Sequence, residues 1–348
     1  MVAEARQGLR GGWPTASKLT GWARKLEGRT LAGAALALLV VTAFCSLFIG
    51  VSNVTPLDVL RLDNSDHQTR VFIESRVPRL AAILLAGSAM SVAGLVMQTL
   101  VRNRFVAPST AGTVSSASLG LVVATIWFGS ASIFLKMSIA VLFAMAGTLL
   151  FLALVQRMKH TDIIVVPLVG IMFGGVVQAA ATFLAFKYDL LQSLNAWING
   201  DFSGTLRGRY ELLYLVGGLT GVTYLFANRF TLVGMGRDFA VNLGVHYERV
   251  LYGGLCLVSL VSAVVVVVVG SIPFLGLVVP NVVTMTMGDN VRRVLPATAI
   301  SGALFVLVCD ILSRTIRYPY EVPVGSIVGV GGGVVFIFLV LRSRSFGS

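Results

Sequence analysis

The sequence predicts an all-α, polytopic membrane protein of about ten transmembrane helices with an inverted repeat. Three observations carry this. The 348 residues are 56% hydrophobic and only 12% charged, with mean hydropathy +0.87. Apolar runs long enough for a bilayer recur along the chain, separated by polar stretches too short to fold alone. Two further apolar segments, broken by Pro and Gly, hold matching places in two halves of the chain.

Residues 1–30 are basic and rich in Gly, Ser and Thr, and are expected to be a disordered or surface-bound cytoplasmic tail. Leu31 to Ile49 is too long for a signal-peptide core and lacks a cleavage site after it, so it is expected to stay as the first helix. Further spans are expected at 79–101, 108–128, 133–156, 163–185, 210–228, 249–270, 273–287, 294–313 and 322–341. Residues 31–342 are then one membrane domain, followed by a short tail, 343–348.

The segment 273–287 would reach only about 22 Å as a helix, against a hydrocarbon core of roughly 30 Å. It starts "PFLGLVVPN", and its counterpart is "RNRFVAPSTAGTVSSASLG" after the second span. Irregular backbone at membrane depth persists only where protein or a watery cavity satisfies it, so the pair points to a transport pathway, the alternative being that Pro and Gly merely kink packed helices. Each break follows one long span and precedes two more, giving sets 79–185 and 249–341, the first starting outside and the second inside. The last span of each set carries a proline and spaced glycines: Pro167, Gly170 and Gly174; Pro323, Gly325, Gly329 and Gly333. Small residues four apart let helix backbones approach closely.

The net charge of +12 does not indicate nucleic acid, because basic residues such as those in "RNR" (102–104) and "RR" (292–293) sit at the expected cytoplasmic ends of spans. Both termini are expected on that side. Cys45, Cys256 and Cys309 lie in apolar runs as small hydrophobes, and His67, His160 and His246 have no metal-ligand spacing, so no metal site is expected. There is no GxxxxGK[ST] loop and no HExxH or paired acidic cluster, so neither ATP hydrolysis nor intramembrane catalysis is expected of this chain.

Asp310 stands four residues before Arg314, a spacing that permits an ion pair on one helix face. The loop "VGMGRDFAVNLGVHYERV" (233–250) mixes apolar residues with charges, consistent with a short amphipathic helix that docks on a cytoplasmic partner or lies on lipid. At the other face "ESRVPR" presents Arg76 and Arg79, with Arg314 at the same level. They suit either lipid headgroups or an acidic partner.

In "RVPRLAAILLAGSAMSVAGLVMQTLVRNRFVAPSTAG" (76–112), "GRDFAVNLGV" (236–245), "GSIPFLGLVVPNVV" (270–283), "LPATAISGALFVLVCDILSR" (295–314) and "EVPVGSIVGVGGGVVFIFLVLR" (321–342), the chain resembles the permease subunits of type II ABC importers for iron-siderophore complexes, haem and cobalamin. "GDFSGT" (200–205) and "CDILSRTIRYPYEVPVG" (309–325) look most like the ferric-catecholate branch, which includes petrobactin and anguibactin permeases. The resemblance implies a second permease subunit, two cytoplasmic ABC ATPases that carry the ATP and Mg, an external substrate-binding protein, and a bacterial cytoplasmic (inner) membrane location. It implies no cofactor in this chain. It further implies that Gly236, Arg237, Asp238, Ala240, Leu243, Gly244 and Val245 couple to the ATPase, that Arg76, Arg79 and Arg314 dock the binding protein, that 157–166 lies at the cytoplasmic gate, and that 163–185 and 322–341 flank the pathway. Asn281 stands where many members have His, and Asn103-Arg104-Phe105-Val106 replaces a common "NPLA". A cobalamin or haem importer keeps the same architecture. A proton-driven transporter would work without ATPases, and a scaffold would show no flux.

Overall fold

The computed structural model describes residues 16–50, 70–158, 165–205 and 210–344. Twelve α-helices fill them: α1 (Ala16–Phe48), α2 (Val77–Val101, entered through a π-helical turn at Phe72–Arg76), α3 (Thr113–Trp127), α4 (Ile133–Arg157), α5 (Val165–Lys187), α6 (Leu191–Ile198), α7 (Leu212–Gly234), α8 (Arg237–Asn242), α9 (Tyr247–Val269), α10 (Leu275–Met287), α11 (Val291–Thr315) and α12 (Val324–Arg344). Each of the ten predicted spans corresponds to one of these helices. Five of the helices, α2, α4, α5, α9 and α11, are long and apolar enough to cross a bilayer. α1, α3, α10 and α12 contribute shorter apolar stretches. This is a multi-pass membrane protein.

The N-terminal expectation needs correction. Residues 16–30, expected as a disordered or surface-bound tail, are helical and form the first part of α1. The stretch "ASKLTGWARKLEGRT" is rich in Ala, Leu, Lys, Arg and Glu, which extend a helix already nucleated by the apolar run behind it. Residues 1–15, 51–69, 206–209 and 345–348 lie outside the described residues, as do 159–164, most of the predicted gate at 157–166.

The two predicted sets have matching element order: helices of 25, 15, 25 and 23 residues (α2 to α5) against 23, 13, 25 and 21 (α9 to α12). Local details match too. Each short helix starts from a left-handed residue, Gly112 (φ 73°) before α3 and Phe274 (φ 60°) before α10. Each third helix opens on a polar cap, Ser132 accepting from the Leu135 amide and Asn290 from the Arg293 amide.

The sets interlock. α2 packs on α10 and α11 of the other set, and α9 packs on α3 and α4. α2 and α9 run in opposite directions, since Gly254 near the start of α9 meets Leu100 near the end of α2. Small residues allow this closeness: a Cβ on Gly87 would sit 2.9 Å from the Ala303 Cα, one on Gly302 would overlap Ser91 Oγ, and one on Gly94 would overlap the Gly276 carbonyl.

The broken segments begin deep in this interlock, where Gly276 faces Met90, Gly94 and Pro108. From there α3 and α10 run toward opposite ends of the bundle, so neither has to cross alone. The irregular backbone leading into each is hydrogen-bonded. Before α3, Asn281 Nδ2 donates to the Arg104 carbonyl (2.8 Å) and Thr113 Oγ1 to that of Pro108 (2.9 Å). Before α10, the Ser271 amide donates to the Ile198 carbonyl (3.2 Å) and the Asp201 amide to that of Val269 (3.0 Å). α6, which the sequence did not suggest, leads into this second patch. Backbone at membrane depth is therefore satisfied by protein on both sides of the repeat.

Candidate functional site

Pro280 lies inside α10 and has no N–H for the carbonyl of Gly276, four residues earlier. Gln98 of α2 supplies the missing donor, its Nε2 lying 3.2 Å from both the Gly276 and the Leu277 oxygens. Asn281 adds a second amide, donating to Leu277 (2.8 Å) as well as to Arg104. Gln98 and Asn281 are nearly fully buried, so these amides replace water in holding the half-helix to α2. Neither role was read from the sequence, since Gln98 lies 178 residues from Gly276 and Asn281 lies 177 from Arg104.

The predicted glycines pack against these breaks. On α5, a Cβ at Gly170 would overlap the Thr110 carbonyl, and one at Gly174 would sit 3.4 Å from the Gly112 Cα. On α12, a Cβ at Gly325 would lie 2.9 Å from the Gly200 nitrogen and the Ser271 oxygen, one at Gly329 would lie 3.4 Å from Pro273, and one at Gly333 would lie 3.9 Å from the Phe274 ring. The last helix of each set thus rests on the break of its own set. Pro167 sits in the first turn of α5, and Pro323 immediately precedes α12. Opposite faces of both helices remain open, with Ile171, Met172 and Val176 exposed on α5 and Val330, Val334 and Ile337 on α12.

At one end of the bundle, α8 hangs between α7 and α9. Gly236 (φ 120°) turns the chain into it and Gly244 (φ 76°) turns it out, both conformations that favour glycine. The amides of Gly244 and Val245 close the helix onto the carbonyls of Val241 (2.9 Å) and Ala240 (3.0 Å). Ala240 is fully buried, while Phe239, Val241, Leu243 and the adjacent Met235 are exposed. Arg237 pairs with Glu248 at 3.0 Å on the surface, and Asp238 lies in the first turn. Behind α8 a cavity of about 630 Å³ is lined by Gln98, Thr99, Arg102, Arg104, Thr231 and Asn290 among others. The exposed pair Arg104–Asp289 (2.9 Å) stands at its edge.

At the opposite end the three predicted docking arginines have partners within the chain. Arg314 donates through Nη1 to the carbonyls of Ser46 (3.1 Å) and Ile49 (2.7 Å), and through Nη2 to Ser46 Oγ and Asp310. Arg76 donates to the Leu47 carbonyl at 2.6 Å. These are carbonyls at and just past the C-terminus of α1, which no intrahelical amide reaches. Two cations there also suit the negative end of the helix dipole. Arg79 is placed differently: Nε and Nη2 face Asp310 at 2.9 and 2.8 Å, while Nη1 reaches Glu321 at 2.7 Å. Asp310 is fully buried and Glu321 keeps 30% of its side-chain surface. The predicted Asp310–Arg314 pair is present, but within a network joining α1, α2, α11 and the turn before α12. Sequence spacing showed the pair and not its partners, which lie more than two hundred residues away for Arg79–Asp310 and Arg314–Ser46.

The model of the FecCD transport family matches residues 38–342. The chain is 47% identical over 309 residues to the petrobactin import system permease protein YclN of Bacillus subtilis, covering 89% of this chain and 97% of that one. It is 43% identical over 270 residues to the ferric-anguibactin transport system permease protein FatD of Vibrio anguillarum, covering 78% and 86%. Among solved structures, a metal-chelate type ABC transporter chain in an inward-facing conformation superposes with a TM-score of 0.78 over 90% of this chain and 99% of that one, at 24% identity, a likeness of fold. With the family model spanning the described bundle from α1 to α12, the chain belongs to the FecCD transport family.

Proposed function

We propose that this chain is the membrane-spanning permease subunit of a binding-protein-dependent ABC importer that moves a ferric catecholate siderophore, of the petrobactin or anguibactin kind, across the bacterial cytoplasmic membrane. The observation that carries the reading is the near full-length identity of 47% to a petrobactin import permease. The chain is a transport subunit and not an enzyme.

Three features of the fold support the working parts. α1 begins, and α12 ends, at the end of the bundle that carries α8, as do Arg102, Arg104, Arg229, Arg249, Arg292 and Arg293. That concentration of arginine favours a cytoplasmic α8 end with both termini on the same side. There the exposed Phe239, Val241 and Leu243 offer an apolar knob to an ATPase groove, anchored by buried Ala240 and turned by Gly236 and Gly244. ATP and Mg belong to that partner. Movement of α8 would pass through α7 and α9 to the interlocked sets, and a change in their tilt would switch access.

The open faces of α5 and α12 suit a second permease and the pathway between the two subunits. Docking of the loaded binding protein belongs to the Arg76–Arg79–Arg314 end. Because Arg76 and Arg314 are committed to α1 carbonyls, Arg79 is the arginine whose charge can be shared outward.

Complementation tests the reading. A strain lacking this chain should lose ATP-dependent uptake of iron delivered as ferric petrobactin and regain it with the wild-type chain. Retained iron uptake with lost cobalamin uptake would preserve the architecture and overturn the substrate.

A further inference from the structure

We infer that Glu321 is an internal stand-in for the partner's carboxylate, occupying the outward edge of Arg79 until the loaded binding protein displaces it. The inference rests on the proposed docking reading and adds to it a residue that sets the strength of capture.

The Arg79 guanidinium has two working edges. Nε and Nη2 are turned toward Asp310, which is fully buried and also holds Arg314, so this edge is fixed by the fold. Nη1 points the other way and holds Glu321 at 2.7 Å. Arg79 itself keeps only 11% of its side-chain surface, and Glu321 keeps 30%. The carboxylate is thus the outer member of the pair. Glu321 also sits on an anchored turn: Ser313 Oγ donates to the Val322 carbonyl at 2.7 Å, and the Val322 amide to the Ser313 carbonyl at 3.2 Å. The turn brings the carboxylate to Arg79 without depending on that ion pair.

The charges explain why an occupant is needed. Arg79 and Arg314 share the single buried carboxylate of Asp310, so a bare outer edge would leave a mostly buried cation incompletely paired. Glu321 completes the pairing in the free chain. An acidic side chain from a docking partner offers the same chemistry to the same edge, and exchanging one carboxylate for another leaves the buried count of charges unchanged. Displacement therefore costs little, but it subtracts the Glu321–Arg79 attraction from every docking event.

Removing the stand-in should tighten capture. The test uses the full transporter with its ATPases in lipid nanodiscs and its own binding protein loaded with ferric petrobactin, with dissociation constants measured at low and high salt. Glu321→Gln keeps a similar shape and should tighten capture by roughly two- to five-fold at low salt, the scale of one partly exposed ion pair, with the gain shrinking at high salt. Arg79→Gln should weaken capture. Arg79→Lys, which retains a charge for Asp310 but lacks the second edge, should also weaken it, and adding Glu321→Gln should not restore it. If Arg79→Gln and Arg79→Lys leave capture unchanged, the docking reading itself is wrong. If they weaken it while Glu321→Gln leaves capture unchanged or weaker, docking stands and the stand-in role is overturned.

Discussion

The side-chain amide of Gln98 lies 3.2 Å from the carbonyl oxygen of Gly276, the oxygen to which Pro280 has no amide to offer. A helix broken by proline inside a membrane bundle leaves an acceptor that neither water nor lipid can satisfy, and α2 brings the donor. This relationship fixes α10 against α2 at the depth where the interlock is closest. Gln98→Leu should therefore cost about 1–3 kcal/mol, the penalty for an orphaned buried carbonyl. Pro280→Ala restores a backbone donor, so it should recover much of the loss in the double variant. Thermal unfolding of the purified chain checks the pair: a double variant no more stable than Gln98→Leu alone would dissociate Gln98 from Pro280.

The glycines of this bundle should not be equivalent. At Gly94 and Gly302 an added methyl would overlap Gly276 O and Ser91 Oγ, whereas at Gly221 nothing lies within 4 Å. Gly94→Ala and Gly302→Ala should each destabilise by about 1–3 kcal/mol through forced separation of helices. Gly221→Ala should be neutral or stabilising by up to about 1 kcal/mol, since alanine is the better helix former. Yield of folded protein from membranes and its melting temperature give the comparison, and an equal loss at all three positions would contradict the packing described.

Asp310 is the carboxylate on which two arginines converge. Asp310→Asn leaves Arg79 and Arg314 near a neutral group in a buried setting, and breaking such a pair costs about 3–5 kcal/mol. The α1 attachment should loosen as a consequence, because Arg314 holds both Asp310 and the Ser46 and Ile49 carbonyls. Protease accessibility around residues 46–50 should rise in Asp310→Asn relative to wild type. Unchanged protection would show that the α1 end is held by other contacts.

The α8 surface gives a functional prediction. Phe239 and Leu243 are exposed, so Phe239→Glu or Leu243→Glu should leave unfolding stability within about 1 kcal/mol of wild type. Uptake should nonetheless fall by an order of magnitude or more, as charge replaces the apolar contact offered to the ATPase. Stable, fully inserted variants with normal uptake would remove α8 as the coupling element.

Much of the fold was legible in the sequence because it is written in local patterns. Apolar run length gave the spans, and Pro with Gly gave the two breaks and their repetition. Glycine spacing on α5 and α12 marked the faces that now rest on those breaks. What escaped depends on pairing across the chain. Nothing near Arg314 or Arg76 in sequence shows that they cap the carbonyls of α1, and nothing near Gln98 announces Pro280, 182 residues on. α6 escaped because eight residues are shorter than the window over which a helical pattern separates from a loop. The helical start of α1 escaped because a basic, Gly/Ser/Thr-containing composition suits a disordered or surface-bound tail equally well, while its helix formers continue the apolar run behind them.

The most direct test of the central claim is ATP-dependent uptake of radioiron as ferric petrobactin in inverted-repeat-intact, wild-type transporter reconstituted with its ATPases and binding protein. The expected result is accumulation that requires ATP, the binding protein and this chain together, and that Phe239→Glu abolishes without loss of assembled complex. Accumulation that proceeds without the ATPases, or a complete complex that moves no ferric catecholate, would contradict the account.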